Sequence, residues 1–334
     1  MLVDTTAASL SDLTFRTAFI IYLVALFMSC IYYGRMFGVV DMRREHLRTK
    51  ERQKITVGAS GPEGLIETGS AFDQPEYERR IAGARKWANM TQALILVGIL
   101  LHVASVITRG LAAHRFPLGN LYEYLSLLTA IVMIVAAVVI QRKNWHTLWP
   151  WLLSPLIVAM FLNSTVFHIQ AAPVVPALQS YWFPVHVSSV SFGASIGVLS
   201  GFFALLYLLR TWQPRGEERG FFGALAKPLP SAKTLDQLTY KTAIITLPLF
   251  GIGIVFGAIW AEVAWGRFWG FDAKETVSMI IWLLYAAYLH ARATAGWKNV
   301  RAAWINVFAL AMTIFNLTYV NTVIAGLHSY AGFN

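Results

Sequence analysis

The chain has 334 residues, 57% of them hydrophobic and 13% charged, with a formal net charge of +10. Soluble globular chains carry about 25% charge, so this composition, with a mean hydropathy of +0.55, excludes an ordinary water-soluble domain. One cysteine, Cys30, excludes an internal disulfide, a CxxC redox pair, a cysteine zinc cluster and a CxxCH attachment site, and the crowding of basic residues into short segments speaks for orientation in a membrane rather than nucleic-acid binding.

A membrane-crossing helix needs about 20 mostly apolar residues. Eight segments meet that description, at 15–39, 88–108, 121–140, 148–167, 184–209, 242–262, 276–291 and 303–325. The predicted fold is therefore all-α, a polytopic membrane protein of about eight spans. Its organisation reads as a first transmembrane helix over 1–40, a basic flexible cytoplasmic loop over 41–87 and a transmembrane domain over 88–334. The first apolar run is followed, not preceded, by a basic cluster, unlike a cleavable signal. Residues 53–75 are polar and rich in Gly and Ser, a linker composition with no phosphate-binding pattern. Pro150 and Pro155 interrupt the fourth span, which neighbouring helices can accommodate.

Arg35 and the segments 40–87, 141–147, 210–241 and 292–302 hold 22 of the 27 Lys and Arg residues. Arg16, Arg109, Arg115, Arg267 and Lys274 are the remainder. Short basic connections stay inside, so both termini are expected outside. Segments 109–120, 168–183, 263–275 and 326–334 then face outward.

The densest chemistry is WAEVAWGRFWGFDAKE, residues 260–275. Trp260, Trp265 and Trp269 recur with Phe268 and Phe271, a flat apolar surface with indole N–H groups at its rim. If the stretch is partly helical, Trp265 and Trp269 share a face. An aromatic belt at the headgroup level is the competing explanation. A belt does not require Asp272, Lys274 and Glu275, which close the segment and can orient polar substituents or one another.

His186 opens the fifth span and His328 follows the eighth, both at the height of that aromatic segment. Haem iron takes axial ligands from opposite faces of the ring, commonly histidine, so the pair forms a candidate clamp. Each alone reads equally as a hydrogen-bonded interfacial residue. His290, at the inner end of the seventh span, is either an intramembrane functional group or a side chain reaching the interface beside Arg292. His46 and His146 lie in the inner basic regions and read as solvated. His102 reads as a mid-span packing residue, and His114 and His168 lie outside. In AAHRFPLGNLYEYL, residues 112–125, Asn120 is an expected N-cap and Glu123 a first-turn acid.

Several of these motifs resemble a known family. Trp265-Gly266-x-x-Trp269-x-x-Asp272-x-Lys274-Glu275 resembles the tryptophan-rich WWD motif of haem-handling proteins. PALQSYWFPVHVS (176–188), GLHSY (326–330) and YLHARATAGW (288–297) resemble the segments that carry the family's two external histidines and its intramembrane histidine, mapping to His186, His328 and His290. The stretch His114–Glu123 resembles a further family segment, and the likeness runs from about residue 109 to the end. The chain is thereby similar to the CcsA/ResC (CcsB) family, the membrane-embedded half of the System II cytochrome c synthetase.

That resemblance implies haem b as substrate, a ResB-like membrane partner and an apocytochrome with a CxxCH motif, with a thiol reductase pathway indirectly involved. It implies a site on the outer face of a bacterial cell membrane. Haem would enter near His290, bind between His186 and His328 against Trp260, Trp265, Phe268, Trp269 and Phe271, and receive the apocytochrome thiols there. Asp272, Lys274 and Glu275 would shape the loop, with Lys274 or Arg267 a candidate propionate contact. The chain departs from the family at Phe271, usually Trp, and Ala273, usually Pro. The competing class is a b-type electron-transfer protein that retains its haem.

Overall fold

The computed structural model describes residues 3–59, 72–294, 297 and 299–328. Among them the chain is all-helical, with no strand: α1 (Thr5–Ala59), α2 (Gln74–Ala113), α3 (Leu121–Lys143), α4 (Trp149–Thr165), α5 (Trp182–Trp212), the short α6 (Gly220–Ala226), α7 (Ala232–Trp265), α8 (Ala273–Ala293) and α9 (Asn299–Phe315), which runs into a π-helical turn, Asn316–Val320. Seven of these helices are long and apolar enough to cross a membrane. Each of the eight expected spans falls on a helix. The segment 276–291 lies within α8, which opens on Lys274 and Glu275 and closes on His290 and Arg292; α8 is not among the seven.

The expected flexible loop over 41–87 is largely helix. The first helix continues to Ala59 and the second begins at Gln74, while residues 60–71 lie outside the described residues. The reason is local. Lys, Arg and Glu are good helix formers. Asp73 caps α2 by accepting from the Glu76 N–H, and Glu76 pairs with Arg80 four residues on at 2.7 Å. At 1.5 Å per residue, the 55 residues of α1 extend about 80 Å, so this helix outruns any bilayer.

The bundle has an apolar core, and unlike a soluble protein it also has an apolar outer surface. Phe27, Leu100, Val158, Phe161, Val255 and Phe308 are exposed on the outside of the bundle, while Ser195, Ser200, Thr246, Asn163 and Asn306 are buried within it. Lipid tails are as apolar as leucine, so small side chains and interhelical hydrogen bonds do the associating. Asn306 donates to Ser200 Oγ at 2.8 Å and Asn163 to Ser126 Oγ at 2.9 Å. The central contact is α5 on α7. There a Cβ on Gly193 would stand 2.7 Å from the Phe250 backbone, and one on Gly253 2.9 Å from the Val190 backbone nitrogen. Alanine at either site would force the two helices apart. This close approach brings the start of α5 against the end of α7, where His186 and Trp260 sit.

Candidate functional site

The end of α7 is set by Gly266, which takes φ 69° and donates its N–H to Glu262 O. Residues 266–272 are not helical. The expected common helical face for Trp265 and Trp269 is therefore absent: the left-handed turn at Gly266 separates them. Phe271 also adopts a positive φ of 56°, an uncommon conformation for a bulky residue.

α8 then opens with a capping box, in which Asp272 accepts from the Lys274 and Glu275 N–H groups and the Glu275 side chain accepts from the Asp272 N–H. Glu275 also accepts from the Gly270 N–H at 2.8 Å and from Arg267 Nη1 at 3.1 Å. One carboxylate thus gathers the whole loop 267–272. The Arg267 guanidinium lies over the Trp265 ring and fills the place a Cβ of Gly270 would take.

Both candidate imidazoles use Nδ1 for positioning. His186 Nδ1 lies 2.8 Å from Gly253 O; a carbonyl only accepts, so Nδ1 carries the hydrogen. His328 Nδ1 lies 2.9 Å from Asp272 Oδ2. In each ring this leaves Nε2 without a hydrogen-bond partner among the described residues, the arrangement seen in metal-binding histidines whose other nitrogen is held by a carbonyl or carboxylate. Burial pushes the Asp272 carboxyl up, but the hydrogen bonds from His328 and from the Glu275 and Lys274 N–H groups outweigh it and hold the group well below the usual carboxylate range.

Trp260 joins the two rings. It is 1% exposed and donates Nε1 to Ala177 O at 3.2 Å. The His186 ring stacks on it at 5.8 Å between centroids, the His328 ring meets it edge-on at 5.8 Å, and Trp265 lies 4.8 Å away. Trp265 in turn meets His328 at 4.7 Å.

Two open clefts, of ≈ 850 and ≈ 530 Å³, share His186, Val190, Lys274, Ser278 and His328 in their walls. The larger runs between α3, α5, α8 and the π-turn. The smaller is bounded by Ile254, Gly257, Ala258, Phe268 and Trp269. Together they offer aromatic walls and two imidazole rings to a flat, mostly apolar ligand with a metal centre. Asp272, Glu275 and His328 also offer atoms within 4.8 Å of one another, but both carboxylates are spent on the capping box.

The other expected residues divide. Phe268 is 60% and Phe271 71% exposed, and Phe271 lines neither cleft. Lys274 hydrogen-bonds Asn321 Oδ1. His290 is exposed on α8, about 24 Å along the helix from Lys274 at 1.5 Å per residue, so it does not belong to this cluster. His102 is buried between Phe15 and Tyr22. His168 approaches Asp12 at 3.3 Å, and His114 is the left-handed cap of α2.

One network was not legible in the sequence. Glu123, expected only as a first-turn acid, is buried and accepts from Arg109 Nε at 3.1 Å, Arg115 Nη1 at 2.7 Å and the Gly119 N–H at 2.7 Å. Arg109 also donates to Ile169 O, and Arg115 to Ala172 O. These bonds fasten the segment before α5 to the start of α3. The network's only trace in the sequence is that two arginines precede one acid in a segment otherwise nearly free of charge.

Residues 118–328 match the family model described as cytochrome c assembly protein. Three curated relatives carry the name cytochrome c biogenesis protein CcsA. The one from Guillardia theta is 35% identical, over 68% of this chain and 80% of the relative. The one from Synechococcus sp. (strain RCC307) is 32% identical, over 74% and 86%. The one from Chlamydomonas reinhardtii is 31% identical, over 72% and 68%.

Proposed function

From the premise that the chain belongs to the cytochrome c assembly protein family, in its CcsA branch, we propose that it serves c-type cytochrome biogenesis by binding haem between His186 and His328. The observation that carries this reading is the pair of imidazoles on one tryptophan, each with Nδ1 engaged, Nε2 free and the ring in the wall of the same clefts. Ligation of iron from both faces leaves the porphyrin edge to be presented to the CxxCH thiols of an apocytochrome. The protein contributes position, and the haem and thiols contribute the reactive bonds.

In this reading Trp260 is the floor of the site, Trp265 backs His328, and Phe268 and Trp269 line the smaller cleft. Phe271 extends the exposed rim. Asp272 holds the His328 ring, and Glu275 holds the loop. His290 is an inner ligand on the way outward, open on the surface of α8 to a ResB-like membrane partner, with which the chain forms a two-subunit cytochrome c synthase. The distribution of Lys and Arg supports a multi-pass protein with this site on the outer face of a bacterial cell membrane.

The test is the visible spectrum of the purified protein with its partner. His186→Ala and His328→Ala are each expected to lower haem content and to abolish the six-coordinate bis-histidine spectrum. Wild-type haem content and spectrum in both variants would overturn the clamp.

A further inference from the structure

The two clefts that meet at the histidines differ in chemistry. The larger is apolar along Leu118, Leu178 and Phe183, but its α8 and π-turn side carries Lys274, Ser278, Asn316 and Asn321. The smaller has aromatic and aliphatic walls, with Glu275 as its acid. Among the described residues lining either cleft, Lys274 is the only lysine or arginine. Arg267, the other sequence candidate for an anionic substituent, lines neither; Glu275, Trp265 and Gly270 already hold its guanidinium.

Lys274 donates to the neutral amide oxygen of Asn321, which in turn is fixed by donating Nδ2 to Leu317 O at 3.0 Å. Asn316 is 9% exposed. Its Nδ2 donates to Ser278 Oγ at 3.1 Å, and its Oδ1 is buried without a partner among the described residues. A buried amide oxygen left without a partner is costly, and a ligand that re-pairs this amide removes that cost. A half-turn of that amide lets Ser278 donate to Oδ1 and frees an N–H for an acceptor. The π-helical turn makes the arrangement, since an i to i+5 spacing puts Asn316 and Asn321 on one side, facing Lys274.

We infer that Lys274, Asn316, Asn321 and Ser278 form a carboxylate pocket in the larger cleft, which seats the propionate edge of the porphyrin and so turns the opposite, vinyl-bearing edge into the smaller cleft beside Phe268 and Trp269. This inference rests on the haem reading above and adds its orientation. The Lys274 ammonium and, after the half-turn of its amide, the Asn316 N–H are donors for a carboxylate, held in place by Asn321 and Ser278. Lys274 and Ser278 reach both clefts, but the two amides line only the larger and the acid Glu275 only the smaller. The asymmetry therefore selects one of the two ways a bis-histidine haem can sit, and puts the vinyl groups where the exposed loop 266–272 meets an incoming chain.

The test changes the ligand before the protein. The full chain with its partner, in lipid nanodiscs and stripped of endogenous haem, is titrated with ferric protohaem, its dimethyl ester and mesohaem, in which the vinyls are ethyls. The expected result is that the ester binds at least tenfold more weakly than protohaem, while mesohaem binds within about twofold of it. In Lys274→Met, protohaem weakens to the level of the ester and the ester is little changed. Equal wild-type affinities for protohaem and ester, with the bis-histidine spectrum formed in both, would overturn the carboxylate pocket and leave the clamp standing. A wild-type protein that gives no bis-histidine spectrum with protohaem would overturn both.

Discussion

Gly257 shows how finely the imidazole of His186 is seated. A Cβ there would stand 2.7 Å from His186 Cε1 and 2.8 Å from Nδ1, so Gly257→Ala is expected to push the ring off Gly253 O and lower haem occupancy at least tenfold, with the helical content in circular dichroism unchanged. Asp272 acts on the other ring through its hydrogen bond. Asp272→Asn keeps the shape but replaces a carboxylate partner of the ligand, and losses of roughly 10–100-fold in metal affinity follow such changes; the check is a haem titration at fixed pH. The pH dependence has a definite sign. The folded-state pKa of Asp272 is depressed, so its contribution to stability is complete above about pH 4, the ordinary aspartate range, and is lost only as pH falls further. Haem binding fails in the same direction for a separate reason, since protons compete with iron for Nε2. Acid titration of the bis-histidine spectrum is expected to show haem loss before the helices melt.

At the end of the bundle that holds the histidines and the aromatic loop, the helix ends are joined by charge. Glu123 ties the end of α2, the start of α3 and the segment 168–175 into one cap. The next residues of that segment carry Ala177, whose carbonyl receives Trp260 Nε1. Removing one partner of a buried ion pair costs about 3–5 kcal/mol, because the arginines stay buried without a counter-charge. Glu123→Ala is expected to lower the thermal midpoint in detergent by several degrees and, through Trp260, to reduce haem occupancy; unchanged values in both would show that the cap does not support the site. Sequence patterning located these elements well. Asn120 caps α3 and each expected span falls on a helix. Helix ends were less legible. The charged stretches after the first span and before the second have a loop-like polarity, yet both are helical, the second with a Glu76–Arg80 pair in its first turns.

Across the whole molecule, a second carboxylate repeats the pattern at the opposite end of the bundle. Glu218 meets Arg44 at 2.6 Å and Arg210 at 3.0 Å, bonds that outweigh burial and bring its carboxyl down to about 2. It links the basic extension of α1 to the connection after α5. Asp41–Lys227 and Asp236–Arg292 lie in the same basic regions. The bundle thus has a richly basic end and an opposite end that carries His186, His328 and the aromatic loop. In a Cys30→Ala background, cysteines placed at Glu217 and at His114 are expected to react with a membrane-impermeant maleimide from opposite sides, Glu217→Cys only from inside. Labelling of both from one side would reverse or break the orientation.

The amino-acid order alone determined that the chain is helical and membrane-embedded, and it marked the aromatic loop, His186 and His328, because apolar run length and motif spacing are local properties. Only the tertiary structure decided which of those residues share a site. Trp260, 68 residues before His328, reaches that last histidine through the packing of α7, α8 and α9, and no spacing rule encodes that distance. The same holds for Arg267 and Lys274. In the sequence they are equivalent cations seven residues apart. In the fold one is neutralised by Glu275 and the other faces the clefts, because helix termination at Gly266 and capping at Asp272 turn their side chains to different partners.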